Sequence, residues 1–268
     1  MNRKTNFFLR RTTSSLRMLP SFINIGEAKC GTTSLFNYMI QHPNILPSFK
    51  KEAHFFDLTF DKGINFYKSF FPIQITNQNC ITGEKTPYYL SHPLVADRIA
   101  KTFPFIKLIL LLRNPIDRAF SHYHQQFSRN YETLSFENAL KEEESRLKGE
   151  EEKMIKDHFY QSYPHRHYSY LKRGRYFEHI SKWLKYFKKD QFLILTTEEL
   201  NQDPQKTMNK IFDYLQLSSF NIKIISKSKK GTYKDQMDDK TRKDLIEYFK
   251  PYNENLYKFM NKDFGWCK

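Results

Sequence analysis

Cysteine is scarce in this chain of 268 residues, which contains three: Cys30, Cys80 and Cys267. Small secreted domains rely on an even set of closely spaced cysteines to form a disulfide framework. Three scattered cysteines exclude such a framework and are typical of a reducing compartment. We therefore predict a cytoplasmic protein whose fold depends on a packed core.

Long apolar runs are missing from the first 20 residues. The longest is Phe7-Phe8-Leu9, which is too short for the core of a signal peptide and for a membrane span. We therefore predict no membrane-spanning segment. Residues 1–20 are rich in basic and hydroxyl side chains, and we expect a flexible basic arm there. The same composition also fits an organelle-targeting leader.

Glycine and proline are sparse, with 8 and 11 residues, and no Gly/Ser-rich or Pro-rich linker divides the chain. No internal repeat is visible. A chain of this length can bury one sizeable core, and its aromatic content of 16% argues against disorder. We therefore predict a single folded domain over residues 21–268.

Acidic side chains are fewer than basic ones. The chain has 29 Asp and Glu residues and 44 Lys and Arg residues, which gives a formal net charge of +15. A positive balance of this size favours anionic partners. A phosphate-rich cofactor, an acidic polysaccharide and nucleic acid would each satisfy it. Net charge does not distinguish among the three.

Short apolar runs alternate with helical patterns along the chain. Runs suited to buried parallel strands occur at residues 22–25, 81–84, 106–112 and 192–196. Helical patterns cover residues 35–41, 94–103, 116–127, 136–147, 168–187, 204–215, 241–249 and 253–260. This alternation predicts an α/β fold, with a P-loop-like central parallel sheet flanked by helices in one domain.

Residues 26–34, with the sequence GEAKCGTTS, join the first predicted strand to the first predicted helix. A glycine-bounded loop at a helix N-terminus can hold phosphate, because its backbone N–H groups point outward and the helix dipole favours an anion. In the nucleotide-binding loop G-x-x-x-x-G-K-[ST], a lysine follows the second glycine. Here Thr32 follows Gly31, and Lys29 lies inside the loop. The pattern predicts an unusual anion site, although the helix start could also be a simple N-cap.

A second candidate anion site follows the strand at residues 106–112. This strand ends in Arg113-Asn114-Pro115, where the proline suits the first turn of a helix, and Ser121 lies farther along that helix. P-loop NTPases end the corresponding strand in an aspartate that positions Mg²⁺. An arginine and a serine predict a second phosphate instead, held without a metal. A P-loop kinase for a small molecule and a basic nucleic-acid-binding protein are the alternatives.

Two pairs of histidines invite interpretation as metal ligands. His165 and His167 have no cysteine or carboxylate cluster near them, so they fall short of a tetrahedral site. His122 and His124 are two positions apart on a predicted helix and do not share a face. We predict that the protein holds no metal.

The two anion sites resemble those of the sulfotransferases that use 3′-phosphoadenosine 5′-phosphosulfate (PAPS). The segments at residues 51–57 and 83–89 are similar to the heparan sulfate-type branch, which sulfates carbohydrates. The disulfide found before the carboxyl-terminal cofactor loop in that branch is missing here. The matching segments are GEAKCGTTS at 26–34, KEAHFFD at 51–57, GEKTPYY at 83–89, RNPIDRAFSHY at 113–123, KGTY at 230–233, YFKPYNENLY at 248–257 and DFGW at 263–266.

The resemblance implies roles for the residues on the donor side. Lys29 would contact the oxygen that bridges the phosphate and the sulfuryl group, where charge develops as that bond breaks. Arg113 and Ser121 would hold the 3′-phosphate. The other donor-binding residues that it implies are Cys30, Gly31, Thr32, Thr33, Ser34, Lys230, Gly231, Thr232 and Tyr233.

On the acceptor side, the resemblance implies that Glu52 is the general base that takes the proton of the attacking hydroxyl. His54 and Lys85 would join it as catalytic residues. Substrate contacts would come from His54, Lys85, Asp57 and Tyr88. The predicted reaction transfers a sulfuryl group from PAPS to a hydroxyl that we expect on a carbohydrate, without a metal or a nucleic-acid partner.

Overall fold

The structure is a computed structural model that describes residues 9–74, 79–224 and 236–267. Five strands form one parallel sheet in the order β2-β3-β1-β4-β5. The predicted α/β fold with a central parallel sheet is confirmed. The strands are β1 (Phe22–Gly26), β2 (Ile45–Pro47), β3 (Ile81–Lys85), β4 (Lys107–Leu112) and β5 (Phe192–Thr196).

The short strand β2 was not predicted, whereas the other four strands were. It has three residues, of which Ile45 is buried and Pro47 is exposed. Such a segment shows neither an apolar run nor a clear alternation. It becomes a strand because it pairs with β3 at the edge of the sheet.

Apolar side chains cover both faces of the sheet. Successive residues of β4 alternate between two hydrophobic clusters, which explains the continuous apolar run of this strand. One cluster contains Ile23, Ile25, Leu108, Leu110 and Leu112, and the other contains Phe22, Ile109 and Leu111.

The strand order creates a crevice at the carboxyl ends of β1 and β4. β1 lies between β3 and β4. The chain leaves β1 toward β2 on one side of the sheet, and it leaves β4 toward β5 on the other. In open α/β sheets, ligands bind where such connections diverge. The loop after β1 and Arg113 after β4 both lie at this crevice.

Helices surround the sheet, and none in the described parts of the chain is long and apolar enough to cross a membrane. They are α1 (Thr32–Met39), α2 (Phe55–Leu58), α3 (Gly63–Lys68), α4 (Val95–Thr102), α5 (Pro115–Phe127), α6 (Phe136–Lys141), α7 (Glu143–Leu147), α8 (Glu150–Lys156), α9 (Tyr163–His167), α10 (Tyr176–Trp183), α11 (Thr197–Gln202), α12 (Pro204–Leu215) and α13 (Asp239–Met260).

Three helical predictions differ from the structure. The pattern at 136–147 forms two helices, α6 and α7, that meet at Glu142. The pattern at 168–187 contains the 3-10 turn Lys172–Gly174 before α10 begins. The two helices predicted around Pro251 form the single helix α13. Buried residues on both sides of the proline hold α13 against the domain.

The described part of the amino-terminal segment packs against the domain. Arg10 donates hydrogen bonds to the carbonyl oxygens of Ser69 and Phe71, each at 2.8 Å. Arg17 also donates to the Phe71 carbonyl oxygen at 2.8 Å, and Met18 is buried. From Arg10 onward the predicted arm therefore contacts the core, and the boundary at residue 20 stays a prediction.

Candidate active site at the carboxyl edge of the sheet

The loop after β1 presents backbone N–H groups at the start of α1. Gly31 is the N-cap residue, with a φ of 83°, and it brings no side chain that caps the helix. This left-handed backbone favours glycine. Thr32, Thr33 and Ser34 form the first turn, where helical N–H groups lack intrahelical partners. These features together make an anion-binding loop.

Lys29 lies within this loop among other cations. The Nη1 atom of Arg113 donates to the Lys29 carbonyl oxygen at 3.4 Å. Burial lowers the pKa of Lys29, and the positive charges of Arg129, Arg113 and Arg118 lower it further. A bound anion would offset this repulsion, so the cluster suits a negatively charged ligand.

Two residues that the sequence analysis left without a role hold the loop against β4. The Thr197 hydroxyl lies within hydrogen-bonding distance of the carbonyl oxygens of Cys30, at 2.6 Å, and Leu112, at 2.9 Å. The Tyr176 hydroxyl donates to the Arg113 carbonyl oxygen at 2.7 Å and lies 3.8 Å from the Cys30 Sγ atom. Burial raises the pKa of the Cys30 thiol to about 12, so it stays protonated.

Arg113 follows β4 directly, at the crevice, and Ser121 lies two turns into α5. Asn114 caps α5, because its Oδ1 atom accepts the N–H of Ile116 at 2.9 Å. Its own N–H donates to Glu198 Oε1 at 3.0 Å, which fixes the strand end. Ser121 is buried within α5. The predicted donor residues Lys230, Gly231, Thr232 and Tyr233 lie outside the described residues.

On the acceptor side, the structure brings together four of the predicted residues. The Oε1 atom of Glu52 lies 3.0 Å from the Nζ atom of Lys85, and its Oε2 atom lies 3.3 Å from His54 Nε2. The Nδ1 atom of His54 lies 2.6 Å from Asp57 Oδ2. Lys85 and Asp57 are buried, whereas the Glu52 side chain is 37% exposed and accessible to an acceptor.

These contacts set the charges of the cluster. Burial opposes the negative charge of Glu52, but the hydrogen bonds from His54 and Lys85 outweigh it and lower its pKa to about 2. Burial likewise opposes the charge of His54, but Asp57 and Glu52 raise its pKa to about 9. Glu52 is therefore ionised at neutral pH. A carboxylate of such low pKa is a weak base, so proton transfer to it becomes favourable when these contacts loosen.

A buried hydrogen-bond network behind β3 supports the segment at residues 52–54. The fully buried Glu84 accepts hydrogen bonds from Tyr67 and Thr86, each at 2.7 Å. The Thr86 Oγ1 atom in turn accepts the N–H of Ala53 at 3.1 Å. Glu84 lies in the matching segment at residues 83–89, where the resemblance implies no role for it, and in the structure it anchors this network. It holds a loop in a fixed position beside the sheet.

Two neighbouring cavities share the end of α2 in their walls. The larger has a volume of about 560 Å³ and includes Asp57 in its wall. The smaller, of about 120 Å³, includes Tyr88, whose hydroxyl lies 2.8 Å from His165 Nδ1. Leu58 and Gln161 line both cavities. Other polar or aromatic wall residues are Arg98, Phe159, Tyr163 and Arg166.

The histidines considered as metal ligands have other surroundings. His165 contacts a tyrosine, and His167 Nδ1 lies 3.0 Å from Gln126 Oε1. His122 is buried, and burial lowers its pKa well below the usual value. Within the described residues, no group of three or more His, Cys, Asp or Glu side chains could hold a metal ion.

Known proteins resemble this chain in sequence and in fold. A family model described as "Sulfotransferase domain" matches residues 20–262. The membrane-associated sulfotransferase kil1 of Dictyostelium discoideum is 29% identical over 94% of this chain and 67% of its own length. Human heparan sulfate glucosamine 3-O-sulfotransferase 6 is 27% identical over 93% of this chain and 74% of its own length. The crystal structure of a sulfotransferase from Alicyclobacillus acidocaldarius matches with a TM-score of 0.70 and 29% identity, covering 94% of this chain and 100% of the other.

These matches confirm the resemblance that the motifs indicated, including its likeness to the heparan sulfate-type branch. They decide against the P-loop kinase and the non-enzymatic nucleic-acid-binding protein that composition and spacing had left open. The family match contains both the anion-binding loop and the Glu52 cluster. The chain therefore belongs to the sulfotransferase domain family and is a sulfotransferase.

Proposed function

We propose that this enzyme transfers the sulfuryl group of PAPS to a hydroxyl group of a carbohydrate. The observation that carries the proposal is the placement of two charged clusters at one edge of the sheet. Lys29 follows β1, and Lys85, which is bonded to Glu52, ends the neighbouring strand β3. The loop that carries Lys29 and the strand end whose Lys85 holds Glu52 therefore lie at the same carboxyl edge of the sheet, on neighbouring strands.

The donor side fits a phosphosulfate group. The glycine N-cap and the uncapped first turn of α1 supply N–H groups to its oxygens. Arg113, which follows β4, and Ser121 within α5 would hold the 3′-phosphate. PAPS supplies an activated sulfur–oxygen bond to the reaction. Lys29 would stabilise the charge that develops on the bridging oxygen.

On the acceptor side, Glu52 would take the proton of the hydroxyl as its oxygen attacks sulfur. A new sulfur–oxygen bond forms while the bond from sulfur to the bridging oxygen breaks. The electron pair of the broken bond stays on the phosphate of the product, 3′-phosphoadenosine 5′-phosphate (PAP). Lys85 and His54 orient Glu52, and positioned acid–base groups of this kind contribute roughly 10²–10⁴-fold to rates.

The carbohydrate acceptor is supported by the names of the relatives and by the cavities. Several similar proteins are described as acting on heparan sulfate glucosamine. The cavity walls combine exposed aromatic rings, such as Phe159 and Tyr163, with polar groups, which is the surface that a sugar requires. The cytoplasmic location and the metal-free reaction stay predictions.

Incubation with [³⁵S]PAPS and a panel of acceptors tests the proposal. The panel contains heparan sulfate, a neutral polysaccharide, a tyrosine peptide and a phenol. Label should appear on a polysaccharide, and Glu52→Gln should remove it while the variant still binds PAP. Label confined to the peptide or the phenol would contradict a carbohydrate acceptor. Undiminished transfer by Glu52→Gln would exclude this residue as the base.

A further inference from the structure

Arg173 is a buried residue outside the predicted site. It lies between the loop after β1 (residues 27–31), which we call the donor loop, and the smaller cavity. It belongs to the 3-10 turn Lys172–Gly174 and is 3% exposed. Its Nη1 atom lies 3.7 Å from the Oε1 atom of Glu27. Its guanidinium carbon lies 4.7 Å from the centre of the Tyr88 ring. A single side chain therefore contacts both the loop after β1 and the cavity wall.

At the donor end, Glu27 is fully buried directly after β1. Its Oε1 atom accepts the N–H of Ala28 at 2.6 Å, and its Oε2 atom has no hydrogen-bond partner within the described residues. Burial raises the pKa of Glu27, whereas Arg173 and Arg118 act to lower it. A buried carboxylate is costly without a cation beside it. The position of Arg173 is thus tied to the backbone that precedes Lys29.

At the cavity end, Arg173 supports two parts of the wall. Its guanidinium packs on the face of Tyr88, a cation–π contact that is strongest where water is excluded. The Tyr88 hydroxyl meets His165 of α9. The Nη2 atom of Arg173 donates to the Arg166 carbonyl oxygen at 3.3 Å. Tyr88 and Arg166 both line the smaller cavity.

Contacts of the residues next to Arg173 fix the turn Lys172–Gly174 in place. Glu143 accepts the N–H groups of Leu171 and Lys172 at 2.6 and 2.8 Å. A Cβ atom at Gly174 would lie 2.6 Å from the Phe249 ring. Closely packed interiors transmit displacements rather than absorb them. A shift of the donor loop is therefore passed to the cavity wall through Arg173.

We propose that Arg173 is a positioning residue that couples the occupancy of the donor loop to the shape of the acceptor cavity. The inference rests on the proposed function, since it takes the loop after β1 as the donor site. Donor or PAP in the loop fixes Glu27, and Arg173 then orders Tyr88 and α9. The acceptor meets a preformed wall, and by linkage it strengthens donor binding by the same factor.

Hydrogen exchange with and without PAP measures this coupling in the absence of any acceptor. In the unmodified enzyme, PAP should slow exchange in residues 26–36 and also in residues 86–92 and 162–168. In Arg173→Gln, the slowing at 26–36 should remain and the slowing at the cavity wall should disappear. Arg173→Lys keeps the charge without the planar guanidinium and should restore part of the effect.

Three further variants serve as controls. Arg175→Gln removes the same charge two residues away, where the side chain bonds to Tyr248, and should keep the unmodified pattern. Tyr88→Phe removes the hydroxyl at His165 and leaves the contact of Arg173 with Arg166, so slowing should be reduced at 162–168 and kept at 86–92. The double variant Glu27→Gln/Arg173→Gln removes both buried charges together. It replaces Arg173→Gln if the single variant does not fold.

The outcomes separate this inference from the proposed function. Slowing confined to residues 26–36 in the unmodified enzyme overturns the coupling. Slowing of the cavity wall that survives in Arg173→Gln or in the double variant also overturns it. An enzyme that does not bind PAP overturns both proposals. Coupled slowing without sulfation of any acceptor supports the coupling and contradicts the proposed function.

Discussion

Lys29 and Glu52 lie on opposite sides of the proposed reaction, and their surroundings tune them differently. Arginines around Lys29 disfavour its positive charge until an anion arrives. Cations around Glu52 hold it ionised before any acceptor enters. The surroundings of Lys29 therefore favour the binding of an anion. The surroundings of Glu52 keep its carboxylate negatively charged before an acceptor binds. Substitutions at the two residues should therefore fail in distinguishable ways.

Replacing Lys29 with alanine should reduce kcat by about 10²–10³-fold, because one donor to the developing charge is lost. The dissociation constant for PAP should change much less, since the backbone N–H groups remain. Steady-state kinetics and calorimetric titration with PAP measure the two effects. Lys51→Ala removes an exposed lysine near the site and serves as the control. A fall of less than tenfold in Lys29→Ala would exclude the assigned role.

The ion pairs of His54 predict a pH dependence of stability. Its pKa is raised from 6.5 to about 9 in the folded protein. Protonated His54 therefore stabilises the fold fully below pH 6.5, and this contribution is lost as the pH rises through 9. Urea unfolding of the native enzyme and of His54→Gln should give free energies that converge between these values. A constant difference from pH 6 to pH 10 would contradict the assignment.

At the scale of elements, the strands, helices and loops that have a local sequence pattern could be predicted. β4 has a continuous apolar run because both of its faces are buried, and the loop after β1 has its glycines and hydroxyls in sequence. The strand β2 and the turn Lys172–Gly174 exist because of contacts with distant segments. No local periodicity marks them.

The residues of the candidate site also fall into those that local motifs predict and those that they do not. The motifs predicted the cluster of Glu52, His54 and Lys85, and the structure brings these side chains together. No role could be predicted for Thr197 and Tyr176, because each meets the loop after β1 from more than a hundred residues away. Residues that bind a ligand directly belong to short motifs. Residues that hold those motifs in place come from distant segments of the chain, which folding brings next to them.

The turn that carries Arg173 should be sensitive to added volume. Gly174→Ala would place a Cβ atom 2.6 Å from the Phe249 ring and 2.9 Å from Pro115. Overpacking of this kind costs about 1–3 kcal/mol, so the thermal midpoint should fall by several degrees. Gly149→Ala is the comparison, because nothing lies within 4 Å of its Cβ position and only its positive φ opposes the change. A thermal midpoint of Gly174→Ala equal to that of the unmodified enzyme would show that the turn is loosely packed.

At the scale of the whole molecule, the net charge of +15 acts on any large anionic acceptor. Raising the salt concentration from about 0.1 M to about 1 M shortens the Debye length from about 10 Å to about 3 Å. The KM for an anionic polysaccharide acceptor should then rise several-fold, because exposed charges no longer attract the polymer. The KM for PAPS should rise less, since its loop is half-buried. Equal salt responses of the two constants would contradict a role for the surface charge.

The order of elements in the chain has a consequence for synthesis on the ribosome. The anion-binding loop and Arg113 are made first, but Tyr176 and Thr197, which join them, follow many residues later. Domains begin to fold while the chain is still emerging. A nascent chain that ends before α10 thus carries the loop and Arg113 without the two hydroxyl groups that join them. The contacts that join the loop to the end of β4 therefore form only after the start of α11 has been synthesised.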